Sequence, residues 1–207
     1  MDWAAVVVAI IGILVAMVIP MALAARKRGA AGKLTDFHQH LQHIGIRASI
    51  VEEEASREGS APRRAWGERA EGVIRIEGKN VDSVTIIGVS TRHGVTYYLD
   101  YLARQPAPSA AEARKKTSMV KKRSPPLWGK AVDIRWKGDP GLAQRLNLDY
   151  QLKYRLLHPG PDPLKGGISI RPEPKHGYTA IRTDYQLPSR DVFEAIDAIA
   201  KHVKTGF

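Results

Sequence analysis

Three histidines at positions 38, 40 and 43 open the chemical inventory, because His-x-His-x-x-His is a spacing that can gather metal ligands. On a helix, Asp36, His40 and His43 share a face at i, i+4 and i+7 while His38 points elsewhere, so at best three ligands converge. No other ligand cluster supports them, and the sequence nominates no metal. Ser118-Met119-Val120-Lys121 and Lys204-Thr205-Gly206 reproduce the Ser-x-x-Lys and Lys-Thr-Gly of penicillin-recognising enzymes. The first sits inside a basic segment instead of opening a buried helix, and the second trails the last apolar stripe, so both read as coincidence. Gly138-Asp139-Pro140-Gly141 lacks the lysine and hydroxyl residue of a phosphate loop, and no G-x-G-x-x-G follows a strand pattern. No cofactor is therefore expected. Asp149 and Asp184 are isolated carboxylates that read as a helix-surface charge and a turn partner. The chain has no cysteine, which removes disulfides, zinc-thiolate sites and thiol nucleophiles. No catalytic constellation emerges, and a non-catalytic role is expected over an enzyme.

Charge carries more information than any motif. The chain of 207 residues has a formal net charge of +11, and the excess is confined to two segments. Arg26, Lys27, Arg28 and Lys33 come without an intervening anion. Residues 103 to 137 hold Arg104, Arg114, Lys115, Lys116, Lys121, Lys122, Arg123, Lys130, Arg135 and Lys137 against only Glu112 and Asp133. The expected lipid- or anion-binding set is Arg26, Lys27, Arg28, Lys33, Arg114, Lys115, Lys116, Lys121, Lys122 and Arg123, facing anionic lipid or an acidic protein partner. Nucleic acid is the weaker alternative, with Trp128 and Trp136 available for stacking but no RNA-binding signature present.

The elements that would position these charges begin with Trp3 to Ala25, an uncharged run that as a helix covers roughly 35 Å, enough to span a bilayer. Arg26, Lys27 and Arg28 follow it directly, so the positive-inside rule puts the N-terminus outside and the C-terminal domain in the cytoplasm. Ala5, Ala9, Gly12 and Ala16 stack on one face of that helix and suggest a homodimer packing surface. The expected division is an anchor at 1–25, a juxtamembrane spacer at 26–35, a mostly β half at 36–104, a basic linker or long loop at 105–127, and an α+β half at 128–207.

Within the first half, period-two alternation predicts strands at 44–50, 72–78, 83–89 and 94–102, joined as an antiparallel meander. In the second, Val132, Ile134 and Trp136 mark a strand, and Asp139-Pro140 starts a helix. Residues 142–157 fit either a helix face or strict strand alternation, with the start signal favouring helix. Ile168 and Ile170 predict a strand that pairs with one at 178–186. Ser189 then caps a helix whose apolar face is Val192, Phe193, Ile196, Ile199, Ala200 and Val203. The expected fold class is α+β: one N-terminal transmembrane helix followed by a mostly antiparallel sheet with covering helices. The matching function is a single-pass, membrane-anchored protein with a cytoplasmic interaction or scaffold domain; the alternative is a membrane-tethered enzyme or small-ligand-binding domain without a recognisable motif.

Overall fold

The computed structural model describes residues 32–51, 67–92, 94–104, 115–124, 130–158, 164 and 166–205. In chain order these give helix α1 (32–43), strands β1 (Ala48–Val51), β2 (Glu68–Ile76), β3 (Ser83–Thr91), β4 (Gly94–Arg104), β5 (Thr117–Ser124) and β6 (Lys130–Lys137). Helices α2 (Pro140–Leu148) and α3 (Tyr150–Leu157), strand β7 (Ser169–Glu173), a 3-10 turn (Pro174–His176), strand β8 (Tyr178–Asp184) and helix α4 (Arg190–Lys204) follow. The strands form one sheet in the order β1-β2-β3-β4-β8-β7-β5-β6. Every described neighbour pair is antiparallel.

Alternation along the strands decides which side chains meet the helices. Ile74 and Ile76, Val84 and Ile86, Leu99 and Tyr101, Ile181, Ile170, Met119, Ile134 and Trp136 all enter one core with the helices. From the other side come Phe37 and Leu41 of α1, Leu142 and Leu146 of α2, Leu152 and Leu156 of α3, and the α4 stripe from Val192 to Val203. Each fully buried Leu, Ile or Phe in this layer contributes about 1.5–3 kcal/mol. All four described helices therefore lie on one face of the sheet.

Residues 142–157 resolve into two helices because a capping carboxylate interrupts them. Asp139 accepts the Leu142 N–H at 2.9 Å, and Asp149 accepts the Leu152 N–H at 2.9 Å. Leu148, Tyr150 and Tyr154, which a strand pattern would place together on one face, are exposed. The outer edge of β6 is closed by the same region. Asn147 of α2 accepts the Trp136 N–H (2.8 Å) and donates to the Trp136 carbonyl (3.1 Å), imitating a neighbouring strand. Such blocking removes a template for edge-to-edge association.

Two expectations need correction. Among the described residues no helix is long and apolar enough to cross a membrane. Helix α4 has 15 residues, roughly 22 Å, and carries charge along one side. Residues 3–25, with Ala5, Ala9, Gly12 and Ala16, lie outside the described residues, as do Arg26, Lys27 and Arg28. A single-pass, membrane-anchored protein with its N-terminus outside and a cytoplasmic scaffold domain is thus unsupported. The second correction concerns architecture. The strands form one sheet that runs through β5, inside the segment read as a linker.

The last helix also fastens the first hairpin. Asp197 accepts the N–H groups of Asn80 (2.6 Å) and Val81 (3.0 Å) and the Asn80 side-chain amide (2.8 Å). Lys79 pairs with Glu194 at 2.7 Å, and Lys204 pairs with Asp82 at 2.9 Å. The β2–β3 turn is thereby held by three consecutive turns' worth of α4 side chains, which places the N-terminal strands and the C-terminal helix in one packing unit.

Candidate ligand site on the second sheet face

The second face of the sheet carries polar residues where its centre would otherwise be apolar. Asp100 of β4 faces Arg182 of β8, Arg182 faces Ser169 of β7, Ser169 faces Ser118 of β5, and Ser118 faces Lys137 of β6. One residue from each of five adjacent strands thus forms a single cross-strand row. Two residues to one side, Arg171 faces Ala180, with Lys116 just before β5. Two residues to the other side, Tyr98 faces Asp184.

Arg182 anchors the row. Its Nε and Nη2 donate to both oxygens of Asp100 (2.7 and 2.8 Å), and Nη1 and Nη2 donate to Glu68 (2.5 and 3.3 Å). The side chains of Asp100, Arg182 and Glu68 are 4, 11 and 13% exposed. Burial disfavours the guanidinium charge, but the hydrogen bonds and negative charges of the two carboxylates outweigh it and hold its pKa above the ordinary value. The Tyr98 ring lies 5.5 Å from the guanidinium carbon, within cation–π range.

Glu68 also reports the shape of the sheet. It belongs to β2, three strands from β8, which in a flat sheet is about 14 Å away. The short Glu68–Arg182 contact requires the sheet to curl toward this face, and the register shift between Ala70 and Gly72 in β2 supplies added local twist. The curled face encloses a cavity of about 440 Å³, whose lining includes Glu68, Tyr98, Lys116, Ser118, Ser169, Arg171, Arg182 and Asp184.

Two glycines set the positions of these groups. A Cβ on Gly138 would lie 2.1 Å from the Lys116 carbonyl oxygen and 2.6 Å from the Thr117 Cα, so the β6 exit presses directly on the start of β5. Asp139 N–H donates to the Thr117 hydroxyl at 3.1 Å, completing that clamp. A Cβ on Gly166 would lie 2.1 Å from an Asp184 carboxylate oxygen, so the acid rests where any other residue would intrude. Beneath the site, burial pushes the Tyr101 phenol pKa up, partly offset by its hydrogen bond with Thr183, a residue that also lines the cavity.

Of the expected cation set, Lys116 lines the cavity. Lys122 is exposed on the same face, opposite Asp133, and Lys115 is exposed just before β5. Lys121 points the other way and donates to the Leu164 carbonyl, so it diverges from Ser118 as strand alternation requires. Arg123 follows a register shift in β5. Lys33 lies 4.9 and 4.8 Å from the ring centroids of Tyr97 and Tyr185, away from the cavity. Arg26, Lys27, Arg28 and Arg114 fall outside the described residues. His38 donates to the Ala48 carbonyl (3.0 Å) and His40 to the Pro188 carbonyl (2.7 Å), so the histidine cluster ties α1 to β1 and to the approach of α4.

Arg171, Arg182, Ser118, Ser169, Glu68 and Tyr98 were not nominated from the sequence as a site. Their signal was present in the alternation: Ser169 and Arg171 flank Ile170, and Arg182 follows Ile181, so each occupies the face opposite the core. Only the β8-β7-β5 order brings them together. No protein-family model, curated protein or solved structure matches the chain, and its chemistry is read from its own residues.

Proposed function

We propose that the protein is a binding module for a small anionic molecule held in the cavity on the second face of the sheet. The observation that supports this most directly is a pair of cations facing the cavity without compensation. Among the described residues none forms an ion pair with Lys116 or Arg171, while Ser118 and Ser169 present hydroxyls beside them that no described group occupies. Arg182 commits four donor contacts to Asp100 and Glu68 and forms the floor of the site. A cavity of this size falls in the range that takes small ligands. Each charge-assisted hydrogen bond contributes about 1.5–3 kcal/mol. After association costs, two such bonds and two hydroxyl contacts correspond to a Kd in roughly the micromolar to millimolar range.

The chemistry of the lining favours binding over turnover. It contains no histidine among the described residues, and the chain has no cysteine. The test is calorimetric titration of the full chain with inorganic phosphate. Lys116→Ala combined with Arg171→Ala should weaken binding at least about tenfold. Equal binding by the double variant, or none by the wild type, would refute the assignment.

One further observation favours a second reading. Lys122, Arg135 and Lys137 are exposed on the same face, extending the cationic area along β5 and β6. An acidic protein segment laid across this strip would meet them in turn. Binding of poly-glutamate that is lost on substituting these three residues, yet unaffected by phosphate, would favour this reading.

A further inference from the structure

The charged side chains that line the cavity separate along the strands. Lys116 and Arg171 stand at one end, the two serines lie in the middle row, and Asp184 stands at the other end beside Glu68. Ala180, the register partner of Arg171, and Asp184 are four residues apart on β8, about 13 Å along the strand. Among the described residues no cation pairs with Asp184, whose exposed carboxylate lies against Gly166. The Tyr98 ring faces Asp184 across the β4–β8 pair and adds a surface that attracts cations.

From this arrangement we infer that the ligand is a zwitterion: a phosphate or carboxylate at the Lys116–Arg171 end, joined by a short carbon chain to an ammonium group that Asp184 receives. This rests on the anion-binding reading above and assigns Asp184 the role of a specificity residue. A neutral-ended anion would satisfy the cations and leave Asp184 unmet. An ammonium adds a charge-assisted hydrogen bond to the Asp184 carboxylate. A dianion of similar length would bring its second charge against the Asp184 carboxylate.

The experiment compares 3-aminopropyl phosphate, propyl phosphate and inorganic phosphate by titration calorimetry on the full chain. The expected result is about tenfold tighter binding of 3-aminopropyl phosphate than of propyl phosphate. Asp184→Asn, an exposed and nearly isosteric change, should abolish that preference while leaving propyl phosphate binding unchanged or slightly tighter. Equal affinity for the two esters, with phosphate itself bound, would overturn the zwitterion and leave the anion site standing. Failure of all three to bind would overturn both. Vesicles displaying phosphatidylethanolamine distinguish the ligand's source: competition with 3-aminopropyl phosphate that is lost in Asp184→Asn would support the zwitterion site and assign it to a headgroup. Vesicle binding that Asp184→Asn leaves intact would count against it.

Discussion

Replacing Arg182 by Met isolates the element on which the whole site is built. Met keeps an apolar stem of similar length but removes the guanidinium, leaving Asp100 at 4% and Glu68 at 13% side-chain exposure without their shared partner. Four donor–acceptor contacts between 2.5 and 3.3 Å disappear at once. Breaking a buried pair by removing one member costs about 3–5 kcal/mol, because a charge is stranded in a low-dielectric environment. That is a large part of the 5–15 kcal/mol typical of a folded domain. The melting temperature should fall by roughly 6–20 °C for a chain of this size. Urea unfolding followed by circular dichroism measures the change in free energy, with a constant slope showing that the unfolded state is unaffected. The triple variant Glu68→Met, Asp100→Leu and Arg182→Met removes every stranded charge and should recover to within about 1 kcal/mol of the wild type. A single substitution costing under about 1 kcal/mol, or a triple variant no more stable than the single, would refute the clamp.

Gly138→Ala drives a Cβ into the Lys116 backbone at a residue whose φ is 135°, and should cost more than about 1 kcal/mol in calorimetric unfolding; an unshifted transition would contradict the β5–β6 clamp. Ile196→Asp places a charge in the fully buried face of α4 and should abolish the cooperative melting transition, so an unaltered curve would refute the core assignment. The Tyr101 phenol is held neutral in the fold while the unfolded chain ionises near pH 10, so the native state retains more protons above that pH. Its stabilising effect is therefore complete below about pH 10 and declines above it by up to about 1.4 kcal/mol per pH unit. Tyr101→Phe should flatten this alkaline slope, and an identical slope in the variant would show that the phenol is not responsible.

The parts of the fold written in local pattern were legible, and those written in strand order were not. Ser189 and the spacing of Val192, Phe193, Ile196, Ile199, Ala200 and Val203 determine α4 without tertiary information, and Asp139-Pro140 marks the start of α2 just as directly. β5 escaped because its core residues are only Thr117 and Met119. Lys121 and Arg123 continue that side of the strand beyond the core, so the segment reads as charged and irregular. The uncharged run at 3–25 suggested an anchor by composition alone, while no described helix can span a membrane. The site was hidden for a geometric reason. Glu68, Asp100 and Arg182 are separated by 32 and 82 residues in sequence, and only the insertion of β8 between β4 and β7 makes them neighbours. Lys116 was nominated for its charge, yet its companions Arg171, Ser118 and Ser169 have nothing unusual in their local sequence.

The central claim is that the second face of the sheet binds an anion between β5 and β7. An amide-resolved NMR titration of the full chain with inorganic phosphate tests it most directly. The account predicts saturable shifts that are largest at Lys116, Ser118, Ser169 and Arg171, with smaller changes at Arg182 and none along α4. Shifts that fail to saturate, or that are largest away from β5 and β7, would contradict it.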